Sequence, residues 1–339
     1  MTLLANSHTF SAVPRLERLA FAFVLAMGCG KPGRGDFLAS FPSTASSPSA
    51  IIAVVADESG VYFLEVGVGN AEIDRVSPEG GTPTRLSPVN VDTGPQSLLL
   101  TTDALIWSDG RTIKTLPKSG GTPQPLASPE SGVFKLIRDA TNLYWIAADP
   151  VHPTPASIQA MPIGGGPIVT VFSTTTTRPD SIAVDETNVY FVEALSMSTS
   201  SNARIAALRK NGGGDVTLAT TNHYGCCLQL GNRRLFWRGS EDGIHPAVMT
   251  LDLDSRTQAV FAPVGNGDEF RLVADGAGVF FTSTECGNKY DSPRCWTWLR
   301  RLPSNEGIAY TEHFISALTL DARYVYWTPG NNELWRVRR

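Results

Sequence analysis

Five aspartates recur at one offset. Asp57, Asp139, Asp185, Asp275 and Asp321 each stand four residues before a short apolar phrase, and Thr101 and Gly231 hold that place in two further copies. Repeated carboxylates could gather round a metal ion. Asp also bonds its own backbone two residues on, and repetition along a chain spreads such turns apart, so the five read as turn residues. Glu65, Asp109 and Glu193 end three of the phrases, but the matching positions elsewhere are neutral, which points to structural roles. His152, His223, His245 and His313 fall in different units and do not make an obvious shared site. No Gly-x-Ser-x-Gly elbow and no His-Glu-x-x-His occurs. Gly212-Gly213-Gly214 leads into a strand pattern rather than a helix, so it is a hairpin turn and not a phosphate loop. These residue types predict no catalytic residue, no bound metal and no cofactor.

The phrase itself sets the elements that would position any site. It reads Val61-Tyr62-Phe63, Leu105-Ile106-Trp107, Leu143-Tyr144-Trp145, Val189-Tyr190-Phe191, Leu235-Phe236-Trp237, Val279-Phe280-Phe281 and Val325-Tyr326-Trp327, at intervals of 38 to 46 residues. Around each copy lie four short runs of β-branched, apolar and aromatic residues separated by Gly, Asn and Asp turns. That is the grammar of a four-stranded antiparallel meander. A period of this length marks a radial repeat in which each unit is one blade. The expectation is an all-β, seven-bladed β-propeller, with Trp107, Trp145, Trp237 and Trp327 in its core. The last unit ends at Arg339 one strand short, while a spare run, residues 36–41, precedes the first. That run is predicted to complete the last blade and close the ring.

Ile106-Trp107-Ser108-Asp109 and Tyr326-Trp327-Thr328-Pro329, with Tyr62-Phe63-Leu64-Glu65 and Tyr190-Phe191-Val192-Glu193, resemble the YWTD repeat of low-density-lipoprotein-receptor type propellers. The copies are degenerate: Ala147, Gly239, Ser283 and Pro329 break the acidic position. That family is typically six-bladed, so the resemblance implies architecture alone.

Residues 1–28 read as a signal peptide. Arg15 and Arg18 precede an apolar stretch, Leu19 to Met27, too short to span a bilayer as a helix. Leu25-Ala26-Met27-Gly28-Cys29 resembles the lipobox of bacterial lipoproteins, which implies cleavage before Cys29 and its lipidation. Gly30 is not the Asp associated with inner-membrane retention in enterobacteria, which implies the outer membrane. Residues 29–35 form a tether of about 20 Å at full extension, and 36–339 the propeller. Export permits disulfides. Cys286 and Cys295 flank one loop, and pairing with each other is simplest. Cys226 and Cys227 could bond to each other with strain, cross-pair with the other two, or bind metal, although no zinc spacing fits.

In a propeller the connections between second and third strands share one face with the links between blades. Long connections fall there in four consecutive units, at 148–156, 194–203, 239–247 and 284–296. This is the predicted binding face, with His152, His223, Tyr224, His245 and Tyr290 as its candidate contacts. Trp296 could equally pack beneath its own loop. The formal charge is −4, and loss of Arg15, Glu17 and Arg18 makes it −5, which does not favour nucleic acid. The expected protein is a monomeric, lipid-anchored envelope module that binds a protein or glycan or serves as a scaffold. The alternative is a metal-dependent propeller enzyme of lactonase or lyase type.

Overall fold

The structure is a computed structural model. It describes residues 33–40, 49–67, 70–89, 97–149, 155–195, 202–221, 226–264, 270–286, 295–330 and 332–339. These hold seven four-stranded sheets, all antiparallel, and no helix. Six sheets are uninterrupted meanders: blades 1 to 6 cover 50–89, 98–127, 132–174, 179–221, 226–263 and 272–311. Blade 7 takes Ile315–Leu320, Tyr324–Pro329 and Glu333–Arg338 from the C-terminal end. Its fourth strand is Asp36–Ser40, antiparallel to Glu333–Arg338 with Asp36 opposite Arg336. The closing strand foreseen from the spare N-terminal run is therefore present. Gly35 leads into it with φ of +85°, and an added Cβ would meet the Trp327 ring and the Arg336 carbonyl. The first strand of each blade contacts the first strands of the blades on either side, so these seven strands line the axis.

Strand alternation explains the phrase. Successive residues point to opposite faces of a sheet, and both faces of each blade are covered by neighbours. Leu143 and Trp145 enter the seam with blade 2, whereas Tyr144 and Ile146 enter the seam with blade 4. Val61 and Phe63 likewise face blade 7, and Tyr62 and Leu64 face blade 2. The fold has seven such seams in place of one core. Trp107, Trp145, Trp237 and Trp327 are fully buried in them, as the sequence indicated.

The repeated aspartates are turn residues. Asp139 Oδ1 accepts the Thr141 and Asn142 N–H groups, both at 2.7 Å, and Asp185 and Asp321 repeat the arrangement. The second oxygen does something the repeat alone did not reveal. In blades 3, 4 and 7 it accepts the hydroxyl of the phrase tyrosine: Tyr144 at 2.9 Å, Tyr190 at 2.6 Å and Tyr326 at 2.8 Å. In three seams a cation from the next blade also reaches the turn. Lys118 binds Asp57 at 2.5 Å, Lys210 binds Asp139, and Arg339 binds Asp275 at 2.5 Å. Lys210 also sits 5.0 Å from the Tyr144 ring centre, and Arg339 5.5 Å from that of Phe280. Strand register places Ile163 and Ser304 at the cation position facing Thr101 and Gly231, the two turns without a carboxylate. The same position holds Leu253 facing Asp185 and Pro78 facing Asp321, so three of the five turn aspartates have a cation there from the next blade and neither turn without a carboxylate has one.

Candidate binding face

We call upper the face that carries the second-to-third strand connections and the links between blades. The latches just described lie on the opposite, lower face. Of the predicted upper-face contacts, His152, His223, Tyr224 and Tyr290 lie outside the described residues, as does Cys29. His245 is described and strongly exposed. Its Nδ1 lies 2.5 Å from Asp242 Oδ2, while Asp242 Oδ1 accepts the Ile244 and His245 N–H groups at 2.9 and 2.8 Å and the Ser240 hydroxyl at 2.9 Å. The His245 N–H and ring, then the Ile244 N–H and Ser240, hold the Asp242 carboxyl well below the usual range. His245 therefore belongs to the internal bonding of its own loop, and that loop is braced rather than extended.

Bracing leaves apolar groups outward. Ile244 is 73% exposed, and Leu195, at the start of the corresponding connection in blade 4, is 51% exposed. Phe314, in the link from blade 6 to blade 7, is 46% exposed. Scattered single apolar residues on a surface are ordinary. Two in the corresponding connections of adjacent blades, on the face with the longest connections, are a feature of that face.

The axial mouth on this side is built by bulges. Register shifts near the upper ends of the first strands displace Ile52, Lys135, Asp180, Cys227 and Ser316 from regular pairing. Lys135 and Cys227 take φ of 51° and 64°, unusual values for residues with side chains. Bulges re-aim side chains at the ends of strands. Polar bonds then stitch the inner ring: Ser181 Oγ accepts the Leu228 N–H at 2.8 Å, Arg271 Nε donates to the Ser316 carbonyl at 3.0 Å, and Ser316 Oγ donates to the Ile51 carbonyl at 2.7 Å. Burial raises the Asp180 carboxyl, and Lys135 and Arg178 oppose the rise. Among the described residues at this mouth, Lys135, Arg178 and Arg271 outnumber Asp180. Sequence reasoning missed these residues because neither their ring position nor the bulges show in a single strand pattern.

Cys226 and Cys227 sit at the same mouth, half-buried and free, with their sulfurs 2.7 Å apart. Their mutual hydrogen bond, followed by burial, raises the Cys226 thiol; the same bond lowers that of Cys227, with help from Lys135 and Arg271. Cys286 and Cys295 form a disulfide between directly opposite residues of the second and third strands of blade 6. Among the described residues no group of three His, Cys, Asp or Glu is placed to hold a metal ion. Two grooves, of about 590 and 570 Å³, lie away from the axis, one beside Lys210 and Arg256 and the other in blade 1.

No family model matches the chain, and neither does any curated protein. Solved structures share its architecture. An oligogalacturonate lyase in complex with manganese aligns with a TM-score of 0.63 over 90% of this chain and 98% of the other, at 10% identity. The computationally designed Ika8 protein aligns at 0.54 over 89% and 98%, with 11% identity. TolB from Acinetobacter baumannii aligns at 0.51 over 85% and 65%, with 12% identity. At such identities the likeness concerns the β-propeller fold alone.

Proposed function

We propose that this chain is a lipoprotein of the cell envelope, anchored at the outer membrane through Cys29, whose propeller is a docking module for another protein. The observation that carries the docking reading is the pair Leu195 and Ile244, apolar and exposed on adjacent blades, on the face where Lys135, Arg178 and Arg271 also lie. Apolar anchors within a polar, charged surround suit a protein partner better than a glycan. The lipobox-like run at Leu25 to Cys29 supports the anchor, and a single acyl chain would be only a weak hold, so a fully acylated terminus is implied.

Two measurements test the two halves. Cys29→Ser should move the protein from the membrane pellet to the soluble fraction; persistence in the pellet would remove the anchor. Leu195→Asp with Ile244→Asp should lose partners recovered by crosslinking the wild type in its own envelope while leaving the melting temperature unchanged. Recovery of the same partners by the double variant would remove the proposed face. A tightly held divalent ion in the purified protein, with a thermal shift on its removal, would instead favour the lactonase- or lyase-type reading.

A further inference from the structure

Where a phrase ends in an acid, the neighbouring strand supplies a cation in two blades. Asp109 pairs with Lys114 at 2.6 Å, and Glu193 with Arg204, directly opposite, at 2.6 Å. In blade 6, where Ser283 stands at that position, Arg300 Nε still donates to its hydroxyl at 2.7 Å. Blade 1 departs from this. Glu65 lies directly opposite Glu72, and like charges so placed repel. Arg85 from the fourth strand pairs with Glu72.

Asp74 adds a third carboxylate on the same face. It is 6% exposed, and no described residue donates a hydrogen bond to it. Burial, then the charges of Glu72 and Glu65, push its carboxyl up to about 6 against the pull of Arg85. Buried polar groups are ordinarily bonded, so an unpartnered one points to a missing partner. The three acids line a single groove of about 570 Å³ that also includes Ser40 of the closing strand, Asn70 and Pro83. Arg85 lines it too, directly opposite Asp74 and paired with Glu72, so two acidic groups there are left without a partner. Their spacing does not suit a shared metal ion, and the volume is that of a small organic molecule.

We propose that this groove binds an organic cation, an ammonium or guanidinium group on an apolar stem, which takes the place that Arg204 fills in blade 4. The charged head lies among Glu65, Glu72 and Asp74, and the stem runs along Pro83. A free polyamine and a lysine or arginine side chain of a peptide share this chemistry.

Titration calorimetry of the full-length protein with spermidine, and separately with an acetylated lysine-containing tripeptide, tests it. Saturable binding of one probe per chain is expected at pH 7.5, and the probe that binds more tightly identifies the source. Asp74→Asn and Glu65→Gln should each weaken binding about tenfold or more, the loss that follows from about 1.4 kcal/mol. Affinity should also fall at pH 5, where Asp74 is protonated. Glu72→Arg, which installs the blade 4 arrangement, should abolish binding. Absence of binding by both probes would overturn the proposal, and so would equal binding by wild type and the Asp74 and Glu65 variants. These two conservative variants keep the test decisive even if Glu72→Arg does not fold.

Discussion

Two largely covered aspartates of this ring differ in what surrounds them, and pH separates them. Asp139 is enclosed by donors. Burial by itself would raise its carboxyl, but the Lys210 ammonium, the Thr141 and Asn142 N–H groups and the Tyr144 hydroxyl hold it well below the ordinary range. Asp74 is enclosed by acids and stands at about 6, above the ordinary 3.8. Between those two values the folded protein binds more protons than the unfolded chain, so the contribution of Asp74 to stability falls as pH rises through this window. Asp74→Asn should therefore raise the melting temperature at pH 7.5 and change it little near pH 3.5. The gain at neutral pH is about 1–3 kcal/mol, since a tenfold change in proton affinity corresponds to about 1.4 kcal/mol and the groove admits some solvent. Superimposable melting curves of variant and wild type at pH 7.5 would contradict this account. Asp74 was not legible in the sequence. Its environment depends on a register shift between Ile73 and Asp74 against the fourth strand, and on the same-face placement of Glu65.

At the scale of elements, the seams carry the energetics. A blade isolated from its neighbours would expose Tyr144 and Ile146 on one face and Leu143 and Trp145 on the other. The latch between blades 3 and 4 adds a charged bond at the lower rim, with Lys210 and Asp139 side chains only 16% and 15% exposed. Removing one partner of a largely covered pair leaves the other uncompensated. Lys210→Met should cost about 1–3 kcal/mol at pH 7. Because the Asp139 carboxyl is depressed, that loss should persist above pH 3.8 and fade as pH falls below it. Melting both proteins from pH 1.5 to 8 would check it, and a difference that does not shrink at the acid end would show that the ion pair is not its source. The strands, turns and aspartate offsets were legible because each is local and recurs from blade to blade. The latches were not, because they join residues 61, 71 and 64 positions apart. Comparing adjacent repeats with a one-blade offset would not have marked them either, since the cation position also holds Leu253 opposite Asp185 and Pro78 opposite Asp321.

For the whole molecule, the sevenfold count and the shared last blade followed from counting strands in the sequence. The binding face was read less fully: the long connections were located, but His245 serves its own loop through Asp242, and the exposed Leu195 and Ile244 carried no signal beyond their position. The shared blade also orders events in time. Six blades are local meanders, whereas the seventh joins residues 36–40 to 333–336, so the first strand synthesised is the last to find its partner. Such distant pairing is slow. A circular permutant that links Arg339 to Gly33 and opens between residues 174 and 179 makes every blade contiguous. It should refold faster than the natural chain in stopped-flow measurements. It should also unfold faster, because its ends would meet through packing alone with no strand crossing the join. Equal rates in both directions would mean that closure is not the slow step. In the natural chain, the delay is the counterpart of durability: the bond that forms last is the one that must break before the ring can open.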